Sequence, residues 1–405
     1  MTTIDRLEAN GIPVTAMAGG GVAETKTVVQ DVGQLGSLLD QGLDQQGRQA
    51  HFEALFSGIQ PAATGGAAAA AGDAGAALSQ RIAAHVIGNA ALSGEDQAAI
   101  APAFPMTAHV TAAPAPLTVS SRYDLSTPDG SPRIAAFTDV TLEQGGYFVC
   151  EATPLTFTCQ TLTRTGTSGS SAADFNILGK TGVTPPAPPT PAAAGQAAAG
   201  APGQCSSAGI AGPGGGPGGP GAAGTPGTAG GAGSPGTPSM PATITIQQRL
   251  TASQLTIYCQ SGPGGQGGNG GQGGAGQQGG NGGNGVTCDC TGNAGGPGGD
   301  GGTGGAGGAA GNGGNGVDTA GNVVIKVPGK PDVAKVQPAT EPAPPGAAGQ
   351  PGPGGPGGAG GAGSSGGKNN SGGGPGGHGN PGATGSQGQP GTVSGKAVQI
   401  TVMPV

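Results

Sequence analysis

Between Gly262 and Gly316, glycine returns at every third residue and often twice in three, broken only at Val286 to Thr291. One row runs from Gly264 through Gly270 and Gly276 to Gly285, and a second from Gly296 through Gly302 to Gly314. A period of three fits neither an α-helix nor a β-strand. It is the period of the polyproline-II helix, in which one residue per turn points to each of three faces. Two glycines per turn leave two bare faces, where a neighbouring backbone can approach closely.

The same unit recurs from Pro185 onward. A glycine row covers Gly209 to Gly236, a second excursion Gly262 to Gly316, and a third Gly346 to Gly391, broken at Ser364 to Ser371. Strands are expected between them at 242–247, 254–259, 322–327 and 396–402. Outward and return runs of the second and third units have nearly equal lengths, as antiparallel hairpins on a shared base require. At the polyproline-II rise, a run such as Gly264 to Gly285 spans roughly 65 Å. Runs with two glycines per turn, 264–285 and 295–316, are expected inside. Runs 212–236 and 376–391 are expected at the edge.

Composition sets the alternatives. Glycine is 94 and proline 37 of 405 residues, and aromatics are 2%. Such a composition without a period reads as disorder; strict phase argues for packing. A collagen triple helix needs long uninterrupted repeats, which the breaks and the out-and-back layout oppose. The expected fold class is therefore mixed: an antiparallel polyproline-II bundle on a small β-sheet or β-solenoid base, with an N-terminal α-helical region.

Three domains follow. Residues 1–104 read as a helical domain or arm. Val29, Val32, Leu35, Leu38 and Leu39 fall at helical spacing, as do Phe52, Leu55 and Phe56, and Leu78, Ile82 and Val86. Ser93-Gly-Glu-Asp96 resembles a capping box. Residues 105–183 read as β-rich, with alternation clearest in Leu155 to Thr163: an antiparallel sheet, a small sandwich, or the first coils of a β-solenoid. Residues 184–405 form the glycine-rich part with its intervening strands.

The Gly-Gly-Asn, Gly-Gly-Ala and Gly-Gly-Gln triplets resemble the glycine-rich regions of mycobacterial PE-PGRS proteins. The arrangement is similar to glycine-rich tail-fibre adhesins of T-even-like phages and to the snow flea antifreeze protein. The resemblance covers residues 185–395 and rests on period and composition. It implies display: of loops at hairpin tips in the phage case, of a flat surface in the antifreeze case.

Net charge is −7. No basic patch exists to neutralise phosphates, so nucleic acid is not an expected partner. No run of 18 apolar residues suggests a membrane span. Asp5, Arg6 and Glu8 occupy the place where a secretory signal would be apolar. An extracellular, surface or virion-associated location is expected, with a cytoplasmic one as the alternative.

Chemistry is sparse. His51, His85, His109 and His378 have no cysteine or carboxylate at ligand spacing, and G-x-G-x-x-G matches follow from composition alone. The calcium repeat of RTX proteins is rejected, since only Asp300 lies in the Gly292–Gly316 run. Cys288-Asp-Cys290 is half a metal site without a second half. No catalytic, metal or cofactor residue is assigned, and no enzyme is expected.

The six cysteines are structural candidates. Cys205 lies in the break of the first excursion, Cys288 and Cys290 in that of the second. Parallel hairpins of similar length bring these tips together, so Cys205 should pair with Cys288 or Cys290. Cys150, Cys159 and Cys259 lie near the base, where Cys150 or Cys159 would pair with Cys259. Six reduced thiols are the alternative. Lys368, Asn369 and Asn370, at the third tip, are candidates for ligand binding. The expected role is a non-enzymatic display protein: an adhesin, appendage or fibre component whose tips meet a cell-surface or glycan ligand. The alternatives are an ice- or polysaccharide-binding module and a self-assembling filament subunit. The outward row Gln266, Asn269, Gln272, Ala275, Gln278, Asn281 and Asn284 is mostly amides, which favours glycans over ice.

Overall fold

The computed structural model describes residues 3–15, 21–39, 92–166, 173–192, 194–206, 209–392 and 397–405. Its strands are β1 (Ala23–Val29), β2 (Met106–Ala113), β3 (Leu117–Val119), β4 (Arg122–Asp124), β5 (Arg133–Leu142), β6 (Tyr147–Glu151) and β7 (Leu155–Arg164). They continue as β8 (Phe175–Leu178), β9 (Ala242–Thr251), β10 (Leu255–Gln260), β11 (Val323–Val327), β12 (Val336–Thr340) and β13 (Ile400–Pro404). Short helices are α1 (Thr3–Ala9), α2 (Val32–Leu39), α3 (Gly94–Ile100) and α4 (Lys330–Val333).

The strands make two sheets. The first has the order β1-β2-β5-β7-β9-β11-β13, with β3 also on β5; the second has the order β12-β10-β8-β6-β4. Every pair is parallel except β1 with β2. From β4 onward consecutive strands fall in alternate sheets, so the chain winds as a coil. Parallel neighbours need a crossover, and here the crossover runs through a strand of the other sheet. Each turn stacks one strand spacing, roughly 4.8 Å, on the last.

Alternation explains the core. Leu155, Phe157 and Cys159 of β7 point between the sheets with Ile244, Ile246, Ile257 and Ile325. Phe137, Phe148, Phe157 and Phe175 pack there with ring centroids 5.0 to 5.4 Å apart. A second cluster joins Ile4, Leu7, Val29, Leu38 and Ile100 to the outer face of β2 and β5, at Val110, Ile134 and Ala136.

The expected fold class is corrected by this architecture. A large mixed sheet of mostly parallel strands defines it, with a second sheet against it and four short α-helices among the described residues. It is not a polyproline-II bundle on a small base. The glycine-rich runs are assigned neither helix nor strand. The N-terminal helical region is absent as such, because β1 joins the main sheet antiparallel to β2. Its Thr25, Thr27, Val28 and Val29 are β-branched and suit a pleated surface. Within the region, Ser93 Oγ does accept the Asp96 N–H and starts α3. The helical periods at 51–59 and 78–86 lie outside the described residues. Between β2 and β8 the sheets are parallel, so the antiparallel alternative is corrected too.

The coil explains where the glycine goes. Passage from the second sheet back to the first takes 125–132 after β4 and 152–154 after β6. At that same corner the next three turns carry insertions at 179–241, 261–322 and 341–399. Each is a hairpin whose two ends are held by strands in fixed parallel register.

Stacked bases bring the extended runs within hydrogen-bonding reach of one another. Outward run 261–286 donates from Gly264, Gly267, Gly270 and onward to Pro344, Ala347 and Gln350 of the third hairpin. From Gly265, Gly268 and Gly271 it donates to Ser234, Gly231 and Thr228 of the first. Return run 292–316 donates from Gly301 and Gly304 to Gly377 and Asn380, and from Gly302 and Gly305 to Gln277 and Gly274. The two runs of the second hairpin thus have neighbours on both sides. The first outward run and the last return run lie outermost.

Candidate functional site

Among the described residues, the far ends of the three hairpins interrupt the glycine period with polar and charged side chains. They lie at 204–213, 286–292 and 364–372, and they are tied to one another. Cys205 is bonded to Cys288 with an S–S distance of 2.09 Å and a Cα–Cα distance of 5.7 Å. Of the two partners that the layout allowed for Cys205, the structure has Cys288.

Asn293 is the second tie, and it is buried. Its Oδ1 accepts the Val286 N–H at 2.7 Å, and its Nδ2 donates to Gln204 O at 2.9 Å and Pro213 O at 2.8 Å. One carboxamide therefore closes the second tip and holds both strands of the first. The sequence signal available for it was an asparagine just past the break, three residues before Gly296, where that glycine row would place a glycine.

The third tip is tied to the second. Lys368 N–H donates to Thr287 Oγ1 at 3.0 Å, Gly367 N–H to Asn293 O at 2.9 Å, and Asn370 Nδ2 to Gly292 O at 2.6 Å. Asn370 N–H closes a turn onto Gly367 O at 3.0 Å. Asn369 sits at the third position of that turn with φ of 60°, a region that asparagine enters more readily than most residues. The three binding candidates therefore divide. Asn370 is used in holding the tip, whereas Lys368 and Asn369 are exposed, as are Asp289 and Cys290 of the second tip.

The remaining cysteines correct an expectation. Cys150, Cys159 and Cys259 are free and buried in the core between the sheets. Cys150 is registered on Ile177, and Ile177 on Cys259. The two cysteines are thus two strands apart, roughly 9.6 Å, beyond the 4.4–6.8 Å Cα separation of about that range which a disulfide spans. Cys159 belongs to the facing sheet. Burial pushes all three thiols up, Cys259 to about 12.

His109 is a buried packing residue. Its Nε2 lies 3.3 Å from Asp129 Oδ1, at the turn into β5. Asp129 takes hydrogen bonds from Ser131 Oγ and Ser131 N–H as well. Those bonds, then the histidine, hold its carboxyl well below the usual range. Arg133 beside it is buried and donates to Leu125 O, Thr111 Oγ1 and Ser126 O. These bonds fasten the turn. Among the described residues no three of His, Cys, Asp and Glu gather at metal-binding distance. His378 is exposed on the last run, while His51 and His85 lie outside the described residues.

Among the described residues no helix is long and apolar enough to cross a membrane. Comparison with protein-family models, with curated proteins and with solved structures gives no match.

Proposed function

We propose that this chain is a non-enzymatic display protein, an adhesin or appendage component, in which the coil and hairpins carry a preformed tip to a surface ligand. The observation that carries this reading is the mutual fastening of the three tips by Cys205–Cys288, Asn293 and the Thr287–Lys368 contact. A tip so held loses little conformational entropy on binding. Lys368, Asn369 and Asp289 offer one cation, one carboxamide without an internal partner and one carboxylate. That set suits the hydroxyls and charges of a cell-surface glycan. The disulfide favours an oxidising compartment, hence an extracellular or surface location.

The filament reading has less support. The outermost runs contain Pro185, Pro186, Pro188, Pro189 and Pro191 on one side, and Pro375, Pro381 and Pro390 on the other. Proline has no N–H to offer a further run, and edges so blocked resist edge-to-edge growth.

The test is binding of purified protein to a printed array of surface glycans. The double variant Lys368→Ala/Asn369→Gly should lose at least tenfold in signal while melting like the parent. Equal signal from parent and variant would remove the tip from the account.

A further inference from the structure

The outward amides on the second hairpin are not free to turn. Asn269 Oδ1 accepts the Gln350 N–H at 2.8 Å, and Asn281 Oδ1 accepts the Ala362 N–H at 3.0 Å. Asn284 Oδ1 takes a longer bond from Ser365 Oγ at 3.4 Å. In each case a side-chain oxygen satisfies a donor that the neighbouring run would otherwise direct at water. The opposite face uses the same device: Asn312 Oδ1 accepts Gln389 N–H and Asn315 Oδ1 accepts Thr392 N–H, at 2.8 and 2.9 Å.

Fixing the oxygen fixes the nitrogen. The Nδ2 groups of Asn269, Asn281 and Asn284 have no partner among the described residues, and all three residues are exposed. Gln266, Gln272 and Gln278 stand in the same row, also exposed, with Ala275 its one interruption. Along it, side chains recur every three residues of extended chain, roughly 9–10 Å. The row that flanks the line on the third hairpin is mostly alanine and proline, Ala347, Pro353, Pro356, Ala359 and Ala362, with Gln350 and Ser365 its polar members. The face carries no charge of its own.

We propose that this face is a second binding surface, separate from the tip, for an extended neutral polysaccharide with β-linked sugars. The fixed N–H donors of Asn269, Asn281 and Asn284, with the exposed amides of Gln266, Gln272 and Gln278 in the same row, call for acceptors, which the hydroxyl and ring oxygens of such a chain supply. The spacing is comparable to one disaccharide. A flat, uncharged strip bounded by alanine and proline admits a ribbon-like polymer without desolvating ions. A second copy of the same face fits poorly, because it would set donor against donor. Each contact is weak, and retention comes from many engaged together.

The test is co-sedimentation of the full chain with insoluble β-1,4-linked glucan and with insoluble β-1,4-linked N-acetylglucosamine polymer. Asn269→Asp and Asn281→Asp keep the oxygen that accepts the neighbouring N–H, so the lattice survives, but they replace the outward donor with an acceptor. The double variant should melt like the parent and lose at least tenfold in bound fraction. Ala306→Asp, which puts a charge of the same sign on the opposite face, should bind as the parent does. Failure of the parent to sediment with either polymer would overturn the proposal. So would equal binding by the double variant, or equal loss in Ala306→Asp.

Discussion

A Cβ placed on Gly270 would sit 2.1 Å from the carbonyl oxygen of Gly308, which no neighbour can relieve without moving backbone. One residue on, at Gly271, the nearest atoms are the Thr228 N and O at 3.2 Å and Pro188 Cβ at 3.4 Å. At the third position Gln272 is exposed. The three positions of one repeat therefore carry three different tolerances. Gly270→Ala should destabilise by about 3 kcal/mol or more, and Gln272→Ala by less than about 0.5 kcal/mol, with Gly271→Ala between them. Denaturant midpoints measure the series, and equal midpoints would refute the close approach. Gln277 stands in the row of Gly271 and Gly274, and there its side-chain Oε1 accepts the Ala222 N–H of the facing run at 2.9 Å. Asn293→Ala should cost about 2 kcal/mol or more, since it leaves the Val286 N–H and the Gln204 and Pro213 carbonyls without their partner. The period of three announced the first set of constraints openly. It gave no partners for Asn293, because two of the three lie 80 and 89 positions away in sequence.

At the scale of elements, strands β5 to β11 were legible as alternating Thr, Val, Ile and Phe. Their direction was not. Alternation reports which face is buried and says nothing of whether the next strand runs parallel or antiparallel; that depends on where the connection goes. β1 was masked by Val28, Val29 and Val32, which fit a helical stripe as well as a strand followed by a helix. The turn between β4 and β5 gives a pH test. The Asp129 carboxyl is lowered in the folded state by Ser131 and then His109. A group lowered on folding stabilises above its unfolded pKa, about 3.9, and that contribution fades as pH falls through and below that value. Asp129→Asn should therefore narrow the difference between denaturation midpoints at pH 7 and pH 3. An undiminished difference would show that this turn does not carry the acid sensitivity. The buried thiols give another test. Native protein treated with iodoacetamide at pH 8 should be alkylated at Cys290 and nowhere else among the described cysteines, with Cys150, Cys159 and Cys259 reacting only after unfolding. Labelling of Cys259 in the native state would contradict its burial and raised pKa.

At the scale of the molecule, two parts depend on each other. The coil has an apolar core of ordinary kind, while the hairpins bury little beyond their own backbone. What keeps the hairpins together is register imposed at the base, backbone hydrogen bonds from run to run and a covalent tie at the tip. The tie joins residues separated by 83 positions, and a loop of that size is worth about 4 kcal/mol in the chain-entropy model. Mild reduction should therefore lower the melting of the hairpins before that of the coil. The most direct measurement of the whole arrangement is amide hydrogen exchange, residue by residue, along 262–285. Gly270 N–H is given to Gln350 and Gly271 N–H to Thr228, whereas Gln272 N–H has no partner among the described residues. The predicted result is protection repeating with a period of three, two slow amides and one fast, apart from Gln266, whose N–H donates to Thr184 Oγ1, and lost together on unfolding. Uniformly fast exchange along the run, with protection confined to the strands, would contradict the account.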